Sequence, residues 1–327
     1  MTDPIRWGIL GAANFALTHM APAIHAARDA HLLALATSDR AKAAPFAALA
    51  PGLRVHDGYD ALLADPDIEA VYVPLPNTLH VEWALKALDA GKHVLVEKPV
   101  AMRAADIDAV IARRDETGLL AAEAFMIVHH PQWVKAREML ADGAIGELAH
   151  VDVRFSYNNP DPGNIRNRAD VGGGAMSDIG VYALGGVRFA TGEEPETIRF
   201  ADVDIEGGVD VFAHFAADFP SFSYDGLVST RLGLRQEVVF HGRTGVLTLP
   251  VPFNANVFGE ARLVLERPGM EVTTWRFPGV NHYVLQVEAF GRSVRDGVPF
   301  ACPLEFSRGT QAAMDAVLSK AREGTGR

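Results

Sequence analysis

The sequence predicts an α/β Rossmann domain, a doubly wound parallel sheet, followed by an α+β domain with a large, mainly antiparallel open sheet. Three observations lead there. Short apolar runs alternate with helix-forming stretches from Ile5 to about residue 122. A glycine-led turn follows the first run, where phosphate-cradling loops sit in such folds. Past Leu148 the texture changes to longer segments in which polar and apolar positions alternate. The expected domains are 1–122 and 123–327, with the closing helix, about 304–322, free to pack back on the first.

Ile5 to Leu10 is the first strand, and Asn14 to Ala27 has the alanine-rich composition of a crossover helix. Between them lies Gly11-Ala12-Ala13-Asn14-Phe15-Ala16, a G-x-A-x-x-A variant of the dinucleotide fingerprint. Gly11 suits the tight turn, Ala13 still admits a pyrophosphate near the backbone, and Ala16 allows close helix–strand packing. The N–H groups of Ala12, Ala13, Asn14 and Phe15 would then face the phosphates. His31 to Thr37 is the second strand and ends in Ser38-Asp39-Arg40. Asp39 stands where an acidic residue grips the ribose 2′-hydroxyl, whereas Ser38 and Arg40 suit a 2′-phosphate. Either NAD or NADP is therefore expected, with NADP favoured. Asp39 is equally placed to cap the helix beginning near Ala41.

A helix from Tyr59 to Ala64, a strand from Ala70 to Val73 and a helix from Val81 to Ala90 follow. The strand and the last helix are joined by Pro74-Leu75-Pro76-Asn77-Thr78-Leu79-His80. Next comes His93-Val94-Leu95-Val96-Glu97-Lys98-Pro99-Val100, a buried strand that delivers Lys98 to its carboxyl end and is stopped by proline. A lysine there, beside apolar walls, can serve as acid, base or electrostatic clamp. Val100 to Thr117 carries a helical pattern and Leu119 to Ala124 a further strand. Beyond a linking helix, about His130 to Ala141, five strands are expected: Leu148 to Tyr157, Val209 to Phe219, Phe222 to Thr230, Gln236 to His241 and Ala261 to Glu266. Three helices, near Ile179 to Ala190, Val284 to Asp296 and Leu304 to Arg322, complete the chain, and the terminal Glu323 to Arg327 is expected to fray.

Gly172-Gly173-Gly174 leads into a helix bearing Asp178 and Tyr182, whose i, i+4 spacing puts them on one face. Three glycines let the backbone pass close to a ligand. A tyrosine with a pKa near ~10 is a poor base alone, but a nearby lysine stabilises its phenolate, so Lys98 and Tyr182 together suit proton transfer in a hydroxyl–carbonyl interconversion.

Composition limits the partners. Of 327 residues, 41 are acidic and 30 basic, and a net charge of −11 argues against nucleic acid or an anionic membrane surface. No apolar run is long enough for a membrane helix, and no basic and apolar leader opens the chain. Cys302 is the single cysteine, so an internal disulfide is impossible and a reducing, cytoplasmic setting is expected. The histidines lack an i, i+4 pair with a carboxylate, and a catalytic metal is not expected.

The chain resembles the glucose–fructose oxidoreductase/inositol dehydrogenase (Gfo/Idh/MocA) family over nearly its whole length. The carriers are Trp7 to Ala13, Pro76-Asn77-Thr78-Leu79-His80, Glu97-Lys98-Pro99 and Gly172 to Tyr182. Asn158 to Asn167 resembles the branch of D-xylose dehydrogenases, dihydrodiol dehydrogenases and glucose–fructose oxidoreductase. The resemblance implies that Lys98 is the catalytic lysine, Tyr182 the proton donor or acceptor, and Asp178 a partner of lysine and substrate. It also implies that Leu75, Asn77, His80, Glu97 and Lys98 line the cofactor and that Arg166 touches substrate. The chain departs from the family at Ala13, where many members carry glycine. It departs again at Met126-Ile127-Val128-His129, where members often show Met-Tyr-Arg and an aromatic.

The expected activity is hydride transfer between NAD or NADP and a hydroxyl or carbonyl of a sugar, polyol or diol. Rival readings are an aldose–aldose oxidoreductase that recycles a tightly bound NADP, and a non-catalytic dinucleotide sensor. A homodimer or homotetramer through the second-domain sheet is implied by the resemblance.

Overall fold

The structure is a computed structural model, and it describes residues 3–324. Its early strands and helices alternate: β1 (Ile5–Leu10), α1 (Ala21–Ala26), β2 (Ala30–Ala36), α2 (Arg40–Leu49), β3 (Arg54–His56), α3 (Tyr59–Leu63), β4 (Ala70–Val73), α4 (His80–Asp89), β5 (His93–Val96), α5 (Ala104–Thr117) and β6 (Ala121–Glu123). The six strands form one sheet in the order β3-β2-β1-β4-β5-β6, with every pairing parallel. Helices cover both faces of such a sheet, which is why β4 and β6 are buried at every position and β5 at all but its first. The strand order reverses between β1 and β4, so the loops at the carboxyl ends of these strands border the crevice where open α/β sheets take ligands. Bonds across neighbouring strand ends hold these loops level: Gly11 N to Ala36 O at 2.9 Å, Glu97 N to Val73 O at 3.2 Å and Ala124 N to Val96 O at 2.7 Å.

The next elements are α6 (Pro131–Ala141), β7 (Leu148–Asn158), α7 (Val181–Thr191), β8 (Thr197–Glu206), β9 (Val209–Asp218), β10 (Ser223–Ser229), β11 (Arg231–Gly242), β12 (Val246–Leu249), β13 (Ala261–Arg267) and β14 (Glu271–Phe277). Their eight strands make a second sheet in the order β14-β13-β12-β11-β7-β10-β9-β8. It is antiparallel except where β7 runs parallel to β10. Nearly all of α7 is buried, and Tyr224 on β10 donates its hydroxyl to Ala183 O at 3.1 Å. Beneath Gly186 the Trp133 ring is so near that an added Cβ would lie 2.7 Å from it.

Two helices remain, α8 (His282–Asp296) and α9 (Leu304–Gly324). By internal contacts the chain divides into two compact units, one comprising the residues up to Met126 with Asn281–Arg308, the other Ile127–Val280 with the residues from Gly309 on. The expected division at 122/123 put α8 in the second domain, whereas its contacts group it with the first unit. The cause is an apolar stripe: Tyr283, Val287 and Phe290 are buried, and the Phe290 ring lies 4.9 Å from that of Trp7 on β1. The ion pair of Arg295 with Glu69, at 2.8 Å, supports the same packing.

Several elements differ from expectation. The helix expected from Val100 starts at Ala104, because the Val100 N–H is bonded to the Glu123 carboxylate and Arg103 is extended. Strands β3, β8, β12 and β14 were not expected. β8 and β14 are edges of the second sheet, largely exposed, and so lack the apolar alternation that marks a half-buried strand. Of the terminal segment expected to fray, Glu323 and Gly324 belong to α9 and Thr325 to Arg327 lie outside the described residues.

Candidate functional site

The first unit builds a dinucleotide-sized groove from its fingerprint. Gly11 has φ +105°, a conformation that favours glycine, and a Cβ there would meet Leu75 at 3.0 Å and the Tyr59 hydroxyl at 3.4 Å. The chain turns into the helix at Asn14, which is exposed, and passes through one π-helical turn, Ala16–Met20, before α1. A groove of about 630 Å³ lies alongside, lined by Ala12, Ala13, Asn14 and Leu17 and by Ala41, Lys42, Pro45 and Phe46 of α2. Ala13 leaves this passage open. Small residues and a free helix amino terminus are what a pyrophosphate needs, so the residues fit an NAD or NADP molecule. A second cleft of about 680 Å³, lined by Asp60, Pro66, Lys86 and Lys92 among others, lies at the amino ends of β4 and β5, away from the edge where ligands enter such sheets.

Ser38, Asp39 and Arg40 are exposed beyond β2. Asp39 accepts the Ala41 N–H at 3.0 Å and so caps α2 as the sequence allowed. Arg40 pairs with Asp57 at 2.6 Å on an open surface, where a competing anion can displace it at little cost. Phe15 joins His19 and Tyr283 in an aromatic cluster with centroids 4.8 to 5.9 Å apart. Asn77 opens a short 3₁₀ turn, Asn77–Leu79, and is half-buried.

Lys98 emerges at the carboxyl end of β5, half-buried, and the Lys98–Pro99 peptide is cis. Glu97 accepts the Lys98 N–H at 3.2 Å and the Tyr72 hydroxyl at 2.5 Å. His80 does not present its ring to a ligand. It is wholly buried, with Nδ1 2.7 Å from Pro99 O and Nε2 2.8 Å from Leu75 O. With both ring nitrogens engaged, the ring ties two loops together.

In the second unit Asp178 is the hub. Its Oδ2 accepts the Tyr157 hydroxyl at 2.5 Å and the Arg166 guanidinium at 2.9 Å. Burial, then the Asp178 charge, pushes the Tyr157 phenol far up, so it stays a donor; Asp178, then Tyr157 and Tyr182, keep Arg166 charged. Tyr182 is buried among rings, 6.0 Å from Phe155 and 5.8 Å from Phe253 by centroid. Asp178 lies within a π-helical turn, Met176–Gly180, that runs directly into α7 and Tyr182.

The glycines serve the chain itself. A Cβ on Gly173 would lie 2.5 Å from Arg166 O, and one on Gly174, with φ +135°, would collide with the Asp210 carboxylate. Asp210 in turn accepts the Met176 N–H at 2.6 Å. The expectation was of a ligand close to these glycines; the groups near them among the described contacts are the carbonyls of Ile165 and Arg166 at Gly173 and the Asp210 carboxylate at Gly174.

Residues 5–125 match the model of the oxidoreductase family with an NAD-binding Rossmann fold, GFO_IDH_MocA, and residues 133–248 match the GFO/IDH/MocA C-terminal domain. The chain is 38% identical to an uncharacterized oxidoreductase of Rhizobium meliloti over 98% of both chains. The chain belongs to the Gfo/Idh/MocA oxidoreductase family. It is 31% identical to a D-xylose 1-dehydrogenase (NADP(+)) of Haloferax volcanii, over 97% of this chain and 98% of that one. Among solved structures, a 3-ketoreductase of Actinomadura kijaniata in complex with NADP and TDP-benzene superposes with a TM-score of 0.90 at 32% identity, covering 97% of this chain and 98% of its own. Companion structures of that reductase replace a lysine or a tyrosine, and the tyrosine follows the lysine by the same number of residues as Tyr182 follows Lys98.

This Gfo/Idh/MocA protein is thus an NAD(P)-dependent oxidoreductase with a Rossmann domain and a mixed, mainly antiparallel second sheet. No helix among its described residues is long and apolar enough to cross a membrane, and none of their His, Cys, Asp and Glu side chains form a group of three able to hold a metal. Sequence reasoning missed two residues of this oxidoreductase. Tyr157 lies 21 positions from Asp178 and carries no local sign of the pairing. Glu123 did carry one, as a lone carboxylate at the end of an otherwise apolar buried strand.

Proposed function

We propose that this oxidoreductase interconverts a hydroxyl and a carbonyl on a sugar, polyol or diol, with Lys98 and Tyr182 as its proton-transfer pair and Asp178 and Arg166 as its substrate-holding groups. The observation that carries the reading is the lysine delivered by β5 beside a dinucleotide groove, together with a tyrosine at the separation found in the variants of the ketoreductase. When bound, the nicotinamide gives or takes the hydride. Tyr182 takes the proton from the reacting hydroxyl in oxidation and returns it in reduction, and the Lys98 ammonium favours the phenolate. Arg166 and Asp178 offer opposite charges to neighbouring sugar hydroxyls, and Tyr157 fixes the carboxylate. Measuring NADP(H)- and NAD(H)-linked turnover over aldoses, inositols, diols and nucleotide-linked ketosugars tests the reading. Tight cofactor binding with no turnover on any of them would overturn it.

NADP is the favoured cofactor. Ser38 and Arg40 can grip a 2′-phosphate, while the Asp39 carboxylate is occupied with its helix cap. Arg40→Ala is expected to weaken NADPH binding about tenfold and leave NADH binding within about twofold, measured by fluorescence titration. Equal losses for both would refute the assignment. A cofactor that stays bound and is recycled would be released only on denaturation.

A cytoplasmic homodimer or homotetramer, assembled through the second sheet, completes the proposal. The open face of that sheet is charged rather than apolar: Arg154 bridges Asp152 and Asp225, and His214 meets Asp225 at 3.0 Å. Assembly through it would rely on polar pairing, so the mass in solution should fall as salt rises.

A further inference from the structure

We propose that Glu123 and His80 are positioning residues for Lys98, gripping the Pro99–Val100 peptide by its N–H and its carbonyl so that the lysine leaves β5 in one direction. The inference deepens the reading of Lys98 as the active lysine and rests on it.

The grip is drawn from opposite partners. Glu123, at the end of β6, accepts the Val100 N–H at 3.2 Å and the hydroxyl of Ser307 on α9. His80, at the start of α4, lies 2.7 Å from Pro99 O and 2.8 Å from Leu75 O. Both residues are buried, at 3% and 0% exposure, so water does not compete for these bonds. One element that precedes β5 in sequence, α4, and one that follows it, β6, therefore hold the two ends of a single peptide group, Pro99–Val100, just beyond Lys98. The Leu75 contact ties the same clamp to the loop that packs against Gly11 of the fingerprint.

A side chain used merely to fill this space would not need a charge, and a buried carboxyl is costly. Its surroundings give the charge a use. Glu97 and Lys98 from the end of β5 and Ser307 from α9 face the carboxyl, and burial pushes it up to about 7. It thus changes charge in the neutral range beside Lys98. A carboxylate holds the Val100 N–H more strongly than a neutral acid does. His80 has the complementary constraint. A carbonyl oxygen only accepts, so the imidazolium alone donates to both, while burial, opposed by those two bonds, and the Lys98 charge hold the ring below its usual range and favour the neutral form, which donates to one.

The test is kinetic, over about pH 5.5 to about 9. For the wild-type protein kcat/KM should fall as pH drops through about 7, where the carboxylate is lost. Glu123→Gln keeps an acceptor for Val100 but has no charge to lose, and that acid limb should flatten. Glu123→Leu and His80→Leu should each lower kcat about tenfold while KM and NADPH affinity move less than about threefold, and His80→Gln, which restores amide donors, should recover part of the loss. An unchanged acid limb in Glu123→Gln, or wild-type kcat in Glu123→Leu, would overturn the proposal. Should Glu123→Leu not fold, the pH profile of Glu123→Gln decides alone. Lys98→Ala run alongside separates the failures: full activity there sinks the reading of Lys98 and this inference with it. An inactive Lys98→Ala beside an unaltered Glu123→Gln profile sinks this inference only.

Discussion

Lys98→Ala is expected to lower kcat by about three orders of magnitude while NADPH affinity changes little, and Tyr182→Phe should do much the same. In the proposed pair the two act as a unit. A phenol removes a hydroxyl proton at neutral pH only when a cation lowers its cost of ionising, and the cation has no other part in the transfer. The double variant should therefore be little worse than either single one, since the second loss removes a group already idle. Lys98→Arg is not expected to rescue, because the guanidinium is planar, larger and more weakly hydrated than the ammonium that β5 delivers. Steady-state kinetics with cofactor titration on each variant checks this. Activity that survives both single replacements would remove Lys98 and Tyr182 from the chemistry, leaving the family and the fold as they stand.

Gly174→Ala is the second large effect, here on stability. The residue sits at φ +135°, where an L side chain is strained, and the new methyl would run into the Asp210 carboxylate. That carboxylate holds the Met176 N–H at the start of the helical segment bearing Asp178. Backbone strain and a displaced buried carboxylate together should cost about 3 kcal/mol or more, read as a lower denaturation midpoint with an unchanged slope. Gly173→Ala should also destabilise, by pressing on Arg166 O, and Gly172→Ala meets backbone strain at φ +77°. If Gly174→Ala unfolds like the wild type, the glycines do not serve the internal packing assigned to them.

The sequence shows local chemistry more readily than remote partnership. The first sheet was legible because buried parallel strands such as Ala70–Val73 and His93–Val96 read as unbroken apolar runs. The fingerprint, Lys98 and the Asp39 cap were legible because each depends on neighbours within a few positions. Edge strands β8 and β14 were not, since exposed edges need no apolar face. The pairing of Asp178 with Tyr157 and Arg166, and of Glu123 with Val100, is made by tertiary folding between residues with no periodic relation. The same holds for α8, whose amphipathic stripe announced burial but could not say against which sheet.

The widened turn at Met176–Gly180 has a consequence for how this region tolerates length change. A π turn is an α-helix carrying one surplus residue. Deleting a single position such as Ile179 would let the segment relax into regular α-helix, so the backbone would close without a gap. The flanking segments would keep their mutual orientation, because the π turn already absorbs the surplus residue, and only the spacing of Asp178 and Tyr182 would shorten, from i, i+4 to i, i+3. Loss of one residue here is thus a local shift of side chains rather than a change of fold, and the protein should still melt cooperatively.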